Sequence, residues 1–293
     1  MDTFEEEVRK GHRFTFGKNW KKFLVNLNEE RIREAEESIL KLLELDDLKG
    51  KRVLDIGSGS GLFSLSARRL GAIVSSFDYD PESVACTNYL RSKYFPDDSN
   101  WQIQQGSVLD EDFLKSLGNF DVVYSWGVLH HTGNMWKALQ NVAFLVKANG
   151  ILCIAIYSDQ GRITKIWLKI KRLYCSGSLG KFLVCGIFLP YFFSRAVVAS
   201  IIKRKNVFSE YTRCRGMSIV HDWFDWLGGF PYEVAKVEDI FHYYQDRGFT
   251  LRNIVTSDGL GNNEFVFVKE HDYQVGQNGI GSSSKVHEIL PRR

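Results

Sequence analysis

The chain lacks paired cysteines. Its five, Cys86, Cys153, Cys175, Cys185 and Cys214, are odd in number, widely spaced and free of any C-x-x-C pair. That excludes a zinc knuckle and a redox dithiol, and scattered thiols in a chain this long fit a reducing compartment. An apolar leader is missing as well. The first residues, Met1-Asp2-Thr3-Phe4-Glu5-Glu6-Glu7, are acidic and do not read as a secretory signal, so a cytoplasmic protein is expected. No Gly-Lys-Ser/Thr follows the glycine-rich stretch, which excludes a Walker phosphate loop. Acid is nearly absent from one long segment: between Arg162 and Gly216 twelve Lys and Arg stand against Glu210 alone. The segment carries +11 on a chain of net charge +3, leaving −8 for the rest. Such asymmetry reads either as a surface for an anionic partner or as a solvated helix face.

What is present is enough for one large α/β domain with an insertion or cap: 293 residues, of which 44% are hydrophobic. Aromatics, at 14%, concentrate outside the glycine-rich half, which suits a ring-lined pocket or an aromatic core. Residues 28–45 place Ile32, Ala35, Ile39, Leu42 and Leu43 at helical spacing. Lys51 to Ile56 reads as a buried strand, Gly57 to Gly61 as a turn, Leu62 to Leu70 as a helix and Ala72 to Phe77 as a second strand. Pro81 opens another helix. Trp101 to Gln105 and Phe120 to Ser125 read as strands, Gly133 to Val146 as a helix and Ile151 to Tyr157 as a fifth strand. This alternation predicts a parallel sheet wound on both faces. It stops near Asp159, where an irregular basic and apolar segment begins. A helix returns over Val237 to Arg247, followed by strands at Thr250 to Val255 and Glu264 to Val268. The loop between those two strands is too short for a parallel crossover, so the last strand is expected to be antiparallel. The tail from about His271, rich in Gly, Asn and Ser, reads as disordered.

Asp55-Ile56-Gly57-Ser58-Gly59-Ser60-Gly61 sits at a strand-to-helix junction, where such folds bind ligands. The spacing is G-x-G-x-G, with Leu62 where dinucleotide enzymes carry on to a later glycine. Asp55 lies at the end of the first strand and Asp78 at the end of the second, where a carboxylate can accept from both hydroxyls of a ribose. A structural glycine turn is the competing reading. The combination points to a nucleoside without a pyrophosphate.

Over residues 50–157, and by strand pattern over 236–269, the chain resembles the class I S-adenosylmethionine-dependent methyltransferases. The resemblance implies a Rossmann-like, doubly wound, mostly parallel seven-stranded sheet with an antiparallel last strand and a helical insertion after strand 5. It divides the chain into an N-terminal helical cap (1–48), a cofactor domain (49–158 and 234–270), a basic apolar insertion or substrate cap (159–233) and a tail (271–293). It implies that Asp55, Gly57, Ser58, Gly59 and Gly61 cradle the methionine part of S-adenosylmethionine. Asp78 would hold the ribose, Tyr79 would lie against the adenine, Ser107 and Val108 would flank its edge, and Trp126 would line the methionine end.

His130 and His131 follow the fourth strand at the ligand edge. A histidine there can take a hydroxyl proton or merely brace the loop. The same region resembles the ubiquinone-pathway O-methyltransferases, which carry Glu-x-x-Glu-His to bind a divalent cation. Aligning that histidine with His131 puts Gly127 and His130 where the acids stand, so no metal is expected. Tyr157 and Asp159, after the fifth strand, are candidate substrate contacts or part of a plain turn. The run from Arg213 to Glu233 reads as a substrate lid in a loop, with Arg215, His221, Asp222 and Trp226 as its candidates. With Phe14-Thr15-Phe16-Gly17-Lys18-Asn19-Trp20 it resembles a bacterial group described as ubiquinone-like, which does not name the acceptor.

Within the insertion, Ile163, Ile166, Trp167, Ile170 and Leu173 alternate with Lys165, Lys169, Lys171 and Arg172 as a basic amphipathic helix. Phe182 to Ile202 is apolar but interrupted by Pro190 and Arg195. The expectation is a peripheral contact with an anionic membrane surface, against a cap helix packed on the body. The leading functional expectation is O-methylation of a small-molecule or lipid-linked acceptor. The alternatives are a tRNA or other nucleic-acid methyltransferase, and a non-catalytic nucleoside-binding scaffold. The absence of N-P-P-Y after the fourth strand argues against methylation of a base amino group.

Overall fold

The computed structural model describes residues 3–208 and 219–271. Its frame is one seven-stranded sheet in the order β3-β2-β1-β4-β5-β7-β6. The strands are β1 (Arg52–Ile56), β2 (Ile73–Asp78), β3 (Trp101–Gln105), β4 (Phe120–Trp126), β5 (Val146–Tyr157), β6 (Phe249–Val255) and β7 (Asn262–Lys269). The first five are parallel, and β7 runs antiparallel between β5 and β6, as the short final loop requires. β1 pairs on one side with β2 and on the other with β4, so the chain reverses its direction of winding there. The ends of β1, β2, β4 and β5 therefore meet along one edge at a topological switch point.

The helices follow from local chemistry. Three precede the sheet: α1 (Phe4–Arg9), α2 (Gly17–Val25) and α3 (Glu29–Leu43). In α3, Asn28 accepts from the Arg31 amide as N-cap, and Ile32, Ala35, Ile39 and Leu43 form its buried stripe. α4 (Leu62–Arg69) starts from Gly61, and α5 (Pro81–Tyr94) starts from Asp80 with proline in its first turn. A short α6 (Glu111–Leu117), capped by Asp110, was not expected; only Leu114 of its seven residues is buried, too little for a periodic signal. α7 (Met135–Phe144) and α11 (Val237–Gln245) cover the sheet with Leu139, Val142, Ile240 and Tyr244 in the larger core.

The insertion is more regular than its sequence suggests. α8 (Arg162–Cys175) and α9 (Ser178–Lys203) form a hairpin, and α10 (Ile219–Gly228) packs against it. Two expectations are corrected here. Pro190 does not break α9, which continues through it. Val184 and Phe188 pin the helix before the proline, and Phe192 and Ala196 pin it after. Proline at an exposed position, in a helix anchored on both sides, loses one hydrogen bond without ending the helix. Within the run read as a lid loop, the described residues Ile219–Gly228 are helical instead: Ile219, Trp223, Phe224 and Leu227 have the spacing of one helical face.

Candidate active site

The glycine turn is built by β2. The amides of Gly57 and Ser58 donate to the Phe77 carbonyl, at 2.8 and 3.1 Å. Gly59 donates to Oδ2 of Asp78 and Asp80 to its Oδ1, both at 2.9 Å. Each oxygen of Asp78 thus spends one lone pair on the backbone and keeps acceptor capacity for a hydroxyl. Burial raises the Asp78 carboxyl from 3.8 to about 7, against the two backbone hydrogen bonds. Asp55 lies beneath the turn: its Oδ2 accepts from Ser64 Oγ at 2.5 Å, and burial raises it to about 6. Ser58 Oγ pairs with Thr87 at 2.9 Å, and Gly61 opens α4. Gly59 has φ +56°, and a Cβ there would stand 3.1 Å from Trp20 Nε1. Both the backbone angle and the close indole call for glycine.

Trp20 is one of several contributions from the N-terminal segment that sequence reading missed. Another is Arg13, whose guanidinium lies 4.9 Å from the Tyr79 ring centre and donates to the carbonyls of His131, at 3.0 Å, and Thr132. Phe4 meets Tyr79 edge-on, Gly17 donates to Asp80, and Phe14 donates to the Phe230 carbonyl. The segment therefore ties the glycine-turn end of the sheet edge to the side of His131. Phe14 to Trp20 was visible as a motif, but nothing in its spacing says that it folds over the glycine turn.

Of the adenine-edge residues, Ser107 Oγ accepts from the Leu109 amide, and the Val108 side chain lies in the main core. The Val108 carbonyl accepts from the Asn141 side chain at 2.8 Å. Trp126 ends β4 and is exposed.

His131, Tyr157 and Trp226 converge, as do residues that were not anticipated. Tyr157 lies 5.5 Å from His131 and 5.9 Å from Trp226 between ring centres, both edge-on. His131 Nδ1 sits 2.6 Å from the Pro231 carbonyl oxygen. A carbonyl only accepts, so Nδ1 carries the hydrogen and the lone pair is on Nε2. Burial lowers the His131 imidazole to about 3, the Pro231 hydrogen bond opposing it. Lys171, expected among the cations of a basic amphipathic helix, is fully buried. It donates to the Trp226 carbonyl and lies 4.4 Å from the Trp226 ring centre and 5.0 Å from that of Tyr232. Burial lowers it to about 7, while Asp225 favours its charged form. Asp225 in turn accepts from Nδ2 of the Asn19 side chain, and burial raises it to about 7. Gly229 lies where these groups meet: a Cβ there would be 3.2 Å from His131 Cε1 and 3.5 Å from Lys171 Nζ. A side chain at 229 would fill the space between them.

Other candidates fall elsewhere. His130 has no exposed surface and packs 4.0 Å from the Tyr157 ring. Burial, with His131 and Lys171 adding, holds it neutral far below the ordinary imidazole range. Its ring also lies 4.4 Å from that of His131. Asp159 Oδ1 accepts from the Gly161 amide at 2.8 Å, so its carboxylate shapes the turn into α8. Asp222 lies in the first turn of α10, and one turn further on Asp225 joins the cluster in its place. The backbone of His221 is in the same turn, and Arg215 lies outside the described residues. Among the described residues, no group of three His, Cys, Asp or Glu side chains is arranged to hold a metal ion.

The ribose assignment has a pH signature. The free carboxyl of Asp78 titrates near 7, whereas hydroxyls that donate to it need the carboxylate. Affinity for S-adenosylhomocysteine is expected to be level above about pH 7 and to weaken about tenfold per pH unit below it. Asp78→Ala is expected to cost roughly 1.5–3 kcal/mol above pH 7 and to remove the slope. Calorimetry across that window checks both. A flat profile in the native chain would take Asp78 out of the ribose contact.

Comparison with known proteins gives the family and the fold. The family model described as Methyltransferase domain matches residues 27–173, half of the chain. The ubiquinone biosynthesis O-methyltransferase of Glaesserella parasuis is 34% identical over 113 residues, 37% of this chain and 46% of that protein. Its namesake from Pelagibacter ubique is 30% identical over 136 residues, 45% and 54% of the respective chains. The chain thus spans about half the length of the curated relatives it matches. Magnesium protoporphyrin IX methyltransferase from Synechocystis PCC 6803, crystallised with SAH, shares the fold. Its TM-score is 0.50 at 14% identity, over 92% of this chain and 89% of that one. With the seven-stranded sheet, the glycine turn and Asp78 in place, the chain belongs to the methyltransferase-domain family, the class I enzymes whose methyl donor is S-adenosylmethionine.

Proposed function

We propose that this chain transfers a methyl group from S-adenosylmethionine to an oxygen of a small or lipid-linked acceptor. The observation that supports it best is the meeting of His131 and Lys171 at Gly229, with the Tyr157 ring against His131 and Trp226 and the Trp226 ring against Lys171. S-adenosylmethionine supplies an electrophilic methyl on a sulfonium. The chain's task is to align an acceptor oxygen with that methyl and to exclude water. His131 Nε2 accepts the acceptor's proton. Its conjugate acid titrates near 3, so it is neutral at every physiological pH but a weak base. An acidic hydroxyl, phenolic or enolic, is therefore the acceptor it serves best. Lys171, when protonated, stabilises the oxyanion that forms, and the rings of Tyr157 and Trp226 hold a flat, apolar acceptor. The curated relatives are named as O-methyltransferases, which favours oxygen over nitrogen or carbon.

The reading is tested by comparing small-molecule, lipid and RNA extracts from cells with and without the chain. The expected difference is one methylene of mass on an acidic hydroxyl in the small-molecule or lipid fraction. A change confined to RNA would overturn it. Because Gly127 and His130 stand where quinone-pathway enzymes place acids, activity on that acceptor is expected to survive exhaustive chelation. A loss that magnesium restores would contradict this.

A further inference from the structure

We propose that the α8–α9 hairpin docks on an anionic lipid bilayer, with α9 lying in the plane of the interface and not across the membrane. By length and composition, α9 is the one helix among the described residues that qualifies to cross a bilayer, with mean hydropathy 1.9 over its best window. Only 11% of that window is buried. A core helix of such hydropathy would be covered, so the exposed apolar surface needs another occupant.

The packing decides how the helix lies. Its inward stripe, Val184, Phe188, Phe192 and Ala196, repeats every four residues and belongs to the catalytic body. Phe188 lies 5.4 Å from the Trp167 ring centre and Phe192 lies 5.6 Å from that of Trp223. A spanning helix would be surrounded by lipid along its length and would have to strip these rings from the protein. The outward face keeps both arrangements together. Leu179, Phe182, Ile187, Ile201 and Ile202 are 66–75% exposed, and Ile166 extends the patch onto α8.

Charge complementarity selects the partner. Residues 162–205 contain ten Lys and Arg and no Asp or Glu. All but Lys171 are exposed. An anionic leaflet attracts these cations while its acyl boundary takes up the apolar side chains. A second copy of the chain would bring the same positive charge against itself. RNA would satisfy the cations and leave the Leu, Ile and Phe side chains in water.

If the proposed methyltransferase reading holds, docking also sets where the acceptor comes from. The inward side of α8 carries Lys171, and α10, packed beneath the hairpin, carries Trp226. The acceptor cluster then lies one helix layer from the bilayer, which suits a lipid-soluble acceptor.

The test uses the full chain without donor or acceptor, so it stands apart from catalysis. Flotation is measured with phosphatidylcholine vesicles and with mixed phosphatidylcholine–phosphatidylglycerol vesicles, with and without tRNA as competitor. At least tenfold stronger binding to the anionic vesicles is expected, reduced by high salt and surviving tRNA. Carbonate washing is expected to release the bound chain. The triple variant Phe182→Ser, Ile187→Ser, Ile202→Ser is expected to lose at least tenfold in vesicle binding. Its affinity for S-adenosylhomocysteine should be unchanged, which shows that it folds. Absence of vesicle binding, or its abolition by tRNA, would overturn the proposal. Resistance to carbonate would overturn the in-plane arrangement. Self-association of the native chain that the triple variant loses would assign the face to a second copy instead.

Discussion

Gly59→Val is expected to abolish detectable binding of S-adenosylhomocysteine while leaving the chain folded. The residue stands at φ +56°, a region that a β-branched side chain avoids. Its amide donates to Asp78, and the space above it already holds the Trp20 indole at contact distance. Valine must therefore either push the backbone out of that angle, which releases Asp78, or push Trp20 off the turn. Both routes damage the same cleft. The sheet is built elsewhere, from β1 packed between β2 and β4, so circular dichroism and the thermal midpoint should move far less than affinity. Retained affinity in a folded Gly59→Val chain would show that the nucleoside does not lie on this turn.

The second large effect is expected at His131. Replacing it with glutamine keeps a polar side chain beside Pro231 but removes the imidazole lone pair. The methyl-transfer rate is expected to fall about 100-fold, the lower end for loss of a general base. A base that titrates near 3 contributes less than one tuned to neutrality, which sets the estimate low. Affinity for S-adenosylhomocysteine should not change, since the described contacts of His131 are to Pro231, Arg13 and neighbouring rings. Single-turnover kinetics with calorimetry on the same variant separates the two. Equal losses in rate and cofactor affinity would make His131 a structural residue.

The glycine turn and its two carboxylates were legible because their parts are local. Asp55 to Gly61 is one continuous stretch, and Asp78 is placed by the end of the adjoining strand. Period and turn chemistry suffice for such features. The acceptor half was legible only in part. His131, Tyr157 and Trp226 could be singled out by type and by position after strands. Their companions are joined by contacts that no local pattern encodes: Asn19 meets Asp225 across 206 positions, and Arg13 meets His131 across 118. Lys171 was hidden for another reason. Its charge placed it among the cations of a basic amphipathic helix, although it shares the inward stripe of Trp167, Ile170 and Tyr174. A lysine in phase with the apolar residues was the available signal. α10 was misread because acids and paired glycines in Asp222 to Gly229 suggested a loop, while the helical spacing of its large residues was the stronger pattern.

The central claim is that the nucleoside cleft and the His131 cluster together perform methyl transfer. The most direct measurement supplies the full chain and a membrane-containing cell extract with S-adenosylmethionine labelled in its methyl group. The account predicts label in an extractable small or lipid-soluble product, formed by the native chain and reduced about 100-fold in His131→Gln. Tight binding of S-adenosylhomocysteine with no label in any acceptor would contradict it and leave a nucleoside-binding scaffold.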